Sequence, residues 1–153
     1  MEMAGIVMCN DKYECLKIGN QLCFPLYACS KEIVRRYKPF LDELDLTYTQ
    51  YIAMMVMWEH KKINVKDMGR ILYLDSGTLT PVLKKLECKG YLIRERDKSD
   101  ERVLNVIITD EGEALKEKAV LIPDKLCACM SLSKEEAVML KKTLDKLLNK
   151  FCE

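Results

Sequence analysis

From Asn64 onward the apolar positions follow two rhythms. Met68, Ile71 and Leu72 recur at helical spacing behind Asn64, a residue that caps helices, so the spacing predicts a helix there. After Tyr73-Leu74, Asp75 is a second N-cap, and Leu79, Val82, Leu83 and Leu86 form the buried stripe of a helix over residues 76–89, stopped by Gly90. The rhythm then changes to two strands, 91–96 and 103–109, joined by the charged tip DKSDER. Upstream, Thr47-Tyr48-Thr49-Gln50 has the spacing of a capping box and opens a helix through His60. The run YIAMMVMW in that helix is apolar nearly all round and belongs in a core; Met54, Met55 and Met57 read as packing residues. Residues 61–63 suit a short strand pairing with the hairpin.

Both ends of the chain read as helices. Leu22, Leu26, Ile33 and Val34 predict an amphipathic helix that starts close to Cys23, because Pro25 is comfortable only in a first turn. Lys38-Pro39 is expected to end it. Thr109 can cap a helix from Asp110 to about Ile122, where Pro123 breaks it. Ser133-Lys134-Glu135-Glu136 is a second capping box, followed by Val138, Leu140, Leu144, Leu147, Leu148 and Phe151 along a last helix. Residues 1–17 show no clear period and read as a loose arm or an added first turn. The expected fold is mainly α with a small β wing: about six helices around a winged helix-turn-helix. On the helix over 76–89, the stripe leaves Ser76, Gly77, Thr78, Thr80, Pro81, Lys84 and Lys85 on the other side. A helix that opens with small and hydroxyl residues can bring its first turn close to base edges and phosphates. From the pattern alone, an α+β domain whose hairpin only covers the core stays open.

Composition narrows the function classes. At 153 residues the chain is one domain's worth, and its net charge of +1 argues for no particular partner. Residues 61–102 carry a net +4 against −3 elsewhere, a mild polarity that suits a DNA-facing lobe. Eight cysteines without a secretory leader, in a chain 49% hydrophobic, read as reduced and cytoplasmic, not as a disulfide framework. There is no Cys-x-x-Cys and His60 is the only histidine, so neither a zinc site nor another cofactor is expected. The longest apolar run, residues 51–58, falls far short of the ~20 residues of a membrane span.

The 65–109 segment resembles the DNA-binding lobe of the MarR family of bacterial regulators. That family carries Asp-x-Arg at the wing tip, matched by Asp100 and Arg102, and Thr-x-x-Gly after the next strand, matched by Thr109 and Gly112. YLDSGTLTPVLKKLE, residues 73–87, is similar nearly residue for residue to the recognition helix of the organic hydroperoxide resistance repressors (OhrR). The resemblance implies a homodimer on palindromic double-stranded operator DNA. Ser76, Thr78, Thr80, Pro81, Lys84 and Lys85 would lie at the major groove, with Asp100 and Arg102 at the minor groove. Residues 47–109 would be the DNA-binding lobe, and 20–46 with 110–153 the dimerisation helices.

Cys23 lies in Gln21-Leu22-Cys23-Phe24-Pro25-Leu26-Tyr27. Taken alone it is either a small buried hydrophobe or, near a helix N-terminus with phenolic donors, a thiol that reacts with peroxide. Asn20 to Phe24 and Tyr27-Ala28 resemble the stretch of OhrR proteins that holds their peroxide-reactive cysteine; Pro25 departs from it, where an aliphatic residue is usual. In that family two tyrosines reach the sulfur from the partner subunit, and Tyr37 and Tyr48 match them. Tyr27, four residues past Cys23, is a further neighbour on the same helical face. Some members resolve the oxidised cysteine with a second one near the C-terminal helices, where Cys127 and Cys129 lie. Cys9, Cys15, Cys29 and Cys152 read as packing or incidental, and Cys88 sits on the recognition helix, two residues before its stop, where OhrR proteins need no thiol. The resemblance implies a repressor, not an enzyme, released when Cys23 is oxidised by organic hydroperoxide. The alternatives are a MarR-type repressor controlled by a small aromatic or phenolic ligand, and a thiol peroxidase. The latter is disfavoured, because no arginine or histidine stands near Cys23 in sequence.

Overall fold

The computed structural model describes residues 12–151, so Cys9 and Cys152 lie outside the described residues. Two 3₁₀ turns, Glu14–Leu16 and Ile18–Asn20, lead into α1 (Cys23–Asp42), α2 (Tyr48–His60), β1 (Lys62–Asn64), α3 (Val65–Leu72) and α4 (Ser76–Cys88). The wing strands β2 (Leu92–Arg96) and β3 (Leu104–Ile108) follow, then α5 (Asp110–Ala119), α6 (Ile122–Ala128) and α7 (Lys134–Phe151). With α5 and α6 taken as one helix broken at Val120-Leu121, this is the six-helix winged helix-turn-helix the pattern predicts.

The expected caps form. Thr47 and Gln50 close a reciprocal capping box, with the Gln50 amide N–H donating to Thr47 Oγ1 at 3.3 Å. The side chains of Asn64, Asp75 and Thr109 accept from the amides of Asp67, Thr78 and Gly112. Ser133 and Glu136 form a second box at the start of α7. Each such cap typically contributes about 1 kcal/mol and fixes where its helix begins. Gly90, at φ 77°, ends α4 as expected.

Two helix ends differ from the sequence reading. α1 does not stop at Lys38-Pro39 but runs on to Asp42 with Pro39 inside it. Proline costs that turn one hydrogen bond, to the Arg35 carbonyl. Continuing the helix places Leu41 in the core at 1% exposure, with Phe40 packed against it, which offsets the loss. α5 ends at Ala119, three residues before the predicted Ile122, because Pro123 belongs to the first turn of a new helix and cannot donate to Ala119.

The core is built around α2. Tyr51, Ala53, Met54, Val56 and Met57 are buried there, against Met68 of α3, Leu79, Leu83 and Leu86 of α4, and Leu92 and Val106 of the sheet. Two apolar side chains assigned to buried faces are instead exposed: Met55 at 45% and Ile71 at 45%. The sheet has the order β1-β3-β2 and is antiparallel throughout, with Asn64 opposite Asn105 and Arg94 opposite Val106. Gly112 of the Thr-x-x-Gly motif lies so close to the Tyr91 carbonyl that no side chain fits, and its own carbonyl accepts from Trp58 Nε1 at 2.8 Å. This close approach locks the foot of the wing to α2 and α5.

α1 and α7 are different. α7 has no buried residue, and Val138, Met139, Leu140, Leu148 and Phe151 are exposed; Leu22, Phe24, Leu26 and Tyr27 at the start of α1 are exposed as well. Among the described residues no helix is long and apolar enough to cross a membrane, and no group of three or more His, Cys, Asp or Glu is placed to hold a metal.

Candidate DNA interface and redox site

Packing its Leu79, Leu83 and Leu86 stripe into the core turns the other side of α4 outward. Ser76, Thr78, Pro81, Lys84 and Lys85 are exposed and Thr80 is half-buried. Two hydroxyls are already engaged: Thr78 Oγ1 donates to Asp75 at 3.0 Å and Thr80 Oγ1 to the Ser76 carbonyl at 2.6 Å. Their oxygens remain able to accept a further bond.

The wing tip is held by its own carboxylates. Asp97 accepts from Ser99 N (2.9 Å), Ser99 Oγ (2.5 Å) and Asn105 Nδ2 (3.0 Å). Those bonds, Ser99's hydroxyl first, hold its carboxyl at about 2. Asp100 takes the Arg102 guanidinium in a fork, Nε at 2.9 Å and Nη2 at 3.1 Å, while Arg102 stands 90% exposed. Between the tip and the α3–α4 turn lies an open groove lined in part by Lys66, Arg70, Tyr73, Ser76 and Arg102. Lys66, Arg70 and Tyr73 escaped the sequence reading. Tyr73 sits in the left-handed region at φ 54°, a conformation a bulky residue rarely adopts, and no sequence signal marks it.

A second contact missed by sequence joins α4 to the wing. Glu87 Oε1 accepts from the Arg94 backbone N–H at 3.0 Å, and Oε2 from Arg94 Nε at 2.9 Å and Nη2 at 2.6 Å. The Arg94 guanidinium holds the Glu87 carboxyl below the usual carboxylate range.

Cys23 is the first residue of α1, with Pro25 in the same turn. Its sulfur is exposed, and no hydrogen bond reaches it from the described residues of the same chain. Tyr27, one turn on, is 60% exposed, with Lys31 over its ring at 5.3 Å. Tyr37 and Tyr48 are brought together, ring centroids 5.0 Å apart, and Tyr51, absent from the sequence-based site, stands 5.7 Å from Tyr37. Burial, then the neighbouring Tyr48, Tyr51 and Cys127, pushes the Tyr37 phenol up to about 12; burial also raises Tyr48. Both phenols therefore keep their protons at neutral pH and are donors.

Cys127 lies on α6, which packs against α1, and of the neighbours it adds least to the rise of the Tyr37 phenol. Cys129 does not join them: its sulfur donates to the Lys125 carbonyl at 3.3 Å, and its carbonyl accepts from Arg36 Nη1 at 2.7 Å. Cys23 and Tyr37 are 14 residues apart on one helix, about 21 Å along its axis. Within one chain the sulfur and the tyrosines cannot meet.

Comparison with known proteins bears on this geometry. The family model of the SarA/Rot transcriptional regulators matches residues 35–119. The organic hydroperoxide resistance transcriptional regulator of Bacillus subtilis (strain 168) is 48% identical over 138 residues, 90% of this chain and 94% of its own length. Reduced AbfR bound to DNA, a Staphylococcus epidermidis protein, has a TM-score of 0.76 at 34% identity, covering 94% of this chain and all of that one. Apo MarR from E. coli has a TM-score of 0.68 at 25% identity, covering 84% of this chain and 96% of its own. The chain thus belongs to the MarR- and SarA/Rot-type transcriptional regulators, in the branch of the organic hydroperoxide repressors.

Proposed function

We propose that this protein is a homodimeric, cytoplasmic repressor that holds operator DNA when reduced and releases it when Cys23 is oxidised by an organic hydroperoxide. The observation that carries the reading is the separation on α1: an exposed thiol at one end and two phenols near the other, too far apart to meet within one chain. A second copy packed against the exposed apolar residues of α1 and α7 would bring Cys23 of one protomer to Tyr37 and Tyr48 of its partner. Residues 20–46 and 110–153 are then the dimerisation helices and 47–109 the reading head. In the reduced state Ser76, Thr78, Thr80, Pro81, Lys84 and Lys85 face the major groove, and Asp100 presents Arg102 to the minor groove.

The chemistry balances without a cofactor. The Cys23 thiolate attacks the terminal peroxide oxygen, the O–O bond breaks, and the alcohol leaves with a proton, giving a sulfenic acid. A second thiol then forms the S–S bond and water departs. The place of Cys127 on α6, which packs against α1, supports it as that thiol, supplied across the dimer, over Cys129, whose sulfur is bonded to the Lys125 carbonyl. Either product removes the sulfur as a charged acceptor for the phenols. The tie between the two protomers' helices is lost, and the reading heads move.

The test is operator binding by fluorescence anisotropy, with and without one equivalent of cumene hydroperoxide, combined with peptide mass spectrometry. Cys23→Ser should bind operator like the parent and ignore the peroxide. Release of Cys23→Ser at the parent's dose would refute the assignment, and release by salicylate-like ligands instead would favour the small-ligand alternative.

A further inference from the structure

Major-groove and minor-groove contacts come from different elements of this fold, so something rigid must fix their spacing. Only residues 89–91 separate α4 from β2. That short link, with the Tyr91 N–H on the Leu86 carbonyl and the Gly112 approach, fixes the foot of the wing. Glu87, in the last turn of α4, adds a constraint further along β2. Its carboxylate takes three N–H groups of Arg94, one backbone and two guanidinium, at 2.6–3.0 Å. The side chains are 33% and 18% exposed, sheltered enough for the charge-assisted bonds to resist screening. Arg94 stands opposite Val106, which is fully buried, so the grip on Arg94 is a grip on the whole hairpin. From there the hairpin is stiff to its tip: Asn105, next to Val106, donates to Asp97, and Asp97 N–H donates to the Val103 carbonyl at 2.8 Å. A continuous set of contacts runs from the recognition helix to the loop that carries Arg102.

We infer that Glu87 and Arg94 are positioning residues that set the angle between recognition helix and wing, and thereby decide whether Arg102 reaches the minor groove once α4 is seated. The inference rests on the DNA-binding reading proposed above. Neither residue needs to touch DNA. A fork that served stability alone would, when removed, lower the melting temperature and the active fraction; it would leave unchanged what Arg102 contributes to the molecules still folded.

The experiment is a mutant cycle on the full-length dimer, read by operator affinity and by two footprints. In the parent, Arg102→Ala should weaken operator binding about tenfold. In the Glu87→Ala background the same change should cost about twofold or less, a coupling expected of residues acting as one unit. Dimethyl sulfate should still report protection of guanine N7 in the major groove, while hydroxyl-radical protection of the flanking minor groove is lost. Glu87→Gln, which keeps an acceptor for the Arg94 backbone N–H, should restore most of that protection. Should Glu87→Ala not fold, Arg94→Lys removes the fork while keeping the charge and the backbone bond, and it carries the same cycle. The inference is overturned if Arg102→Ala still costs tenfold in the folded variant and the minor-groove footprint persists. A parent that protects neither groove would overturn the DNA-binding reading itself, and this inference with it.

Discussion

Gly69→Ala puts two opposing effects on one atom. Gly69 lies buried inside α3, where alanine is ordinarily the better helix former by about 1 kcal/mol. A methyl group there would stand 2.7 Å from the Leu74 carbonyl oxygen, while the Leu74 amide donates to the Gly69 carbonyl at 2.9 Å. Reaching even a close C–H···O separation of roughly 3.3 Å requires the two backbones to part by about 0.6 Å. Backbone opposes backbone here, so no rotamer relieves the contact, and overpacking of this kind costs about 1–3 kcal/mol. Because backbone meets backbone, the clash takes the upper part of that range and outweighs the helix gain, leaving a net loss of up to about 2 kcal/mol. For a chain of this size that lowers the melting temperature by up to about 8 °C. Far-UV circular dichroism at matched protein concentration measures it. Because the strain falls on the turn that aims α4, operator affinity should drop further than the melting shift explains. A variant that melts at or above the parent would refute the reasoning, since helix propensity would then have won.

Three further outcomes follow from the site. After peroxide treatment, non-reducing gels should show a cross-linked dimer that Cys127→Ser abolishes and Cys129→Ser keeps; the reverse pattern would move resolution to Cys129. On the proposed reading Tyr37→Phe removes one hydrogen bond to the Cys23 sulfur and should slow sulfenic acid formation by roughly tenfold or more, followed by dimedone trapping; an unchanged rate would remove Tyr37 from the sensor. Asp97 tests the wing by pH. Its carboxyl lies below its ordinary 3.8, at about 2, so the folded wing favours the ionised form. Its contribution is complete above 3.8 and fades as pH falls toward 2. The Asn105 side-chain amide resonances should therefore hold at pH 3.8 and shift only near 2, and a shift centred at 3.8 would show Asp97 to be unpartnered.

Features that depend on neighbours in sequence were legible before the fold was known. Caps at Asn64, Asp75, Thr109 and Ser133, the Leu79–Leu83–Leu86 stripe and the start of α1 at Cys23 are all local, and each forms as read. Pro39 shows the limit. Its local preference is to end a helix, and the burial of Leu41, supplied by other elements, overrides it. Ile71 fails for a related reason: periodicity marks an apolar face without saying whether a neighbour covers all of it. In the candidate site, Cys23, Tyr37 and Tyr48 were legible through resemblance, whereas Tyr51 looked like ordinary core and indeed packs against Trp58 as well. Cys127 and Cys129 are indistinguishable in sequence; only the fold shows Cys127 inside α6 and Cys129 just past its end, with its sulfur on the Lys125 carbonyl. Nothing local pairs Glu87 with Arg94; the fork forms only because β2 folds back along α4.

The Glu87–Arg94 contact also bears on how the protein behaves in a crowded solution. β2 is an outer strand of its sheet, and the Arg94 N–H points away from β3. An unsatisfied N–H on a strand that also exposes Ile93 at 53% would be a template for a strand from another molecule. With Glu87 seated on it, that edge is closed at its centre, and Arg94, Glu95 and Arg96 surround the remainder with charge. The carboxylate thus acts as a guard against edge-to-edge aggregation. A sheet whose outer strand is closed in this way stays with its own chain whatever the heads around it do.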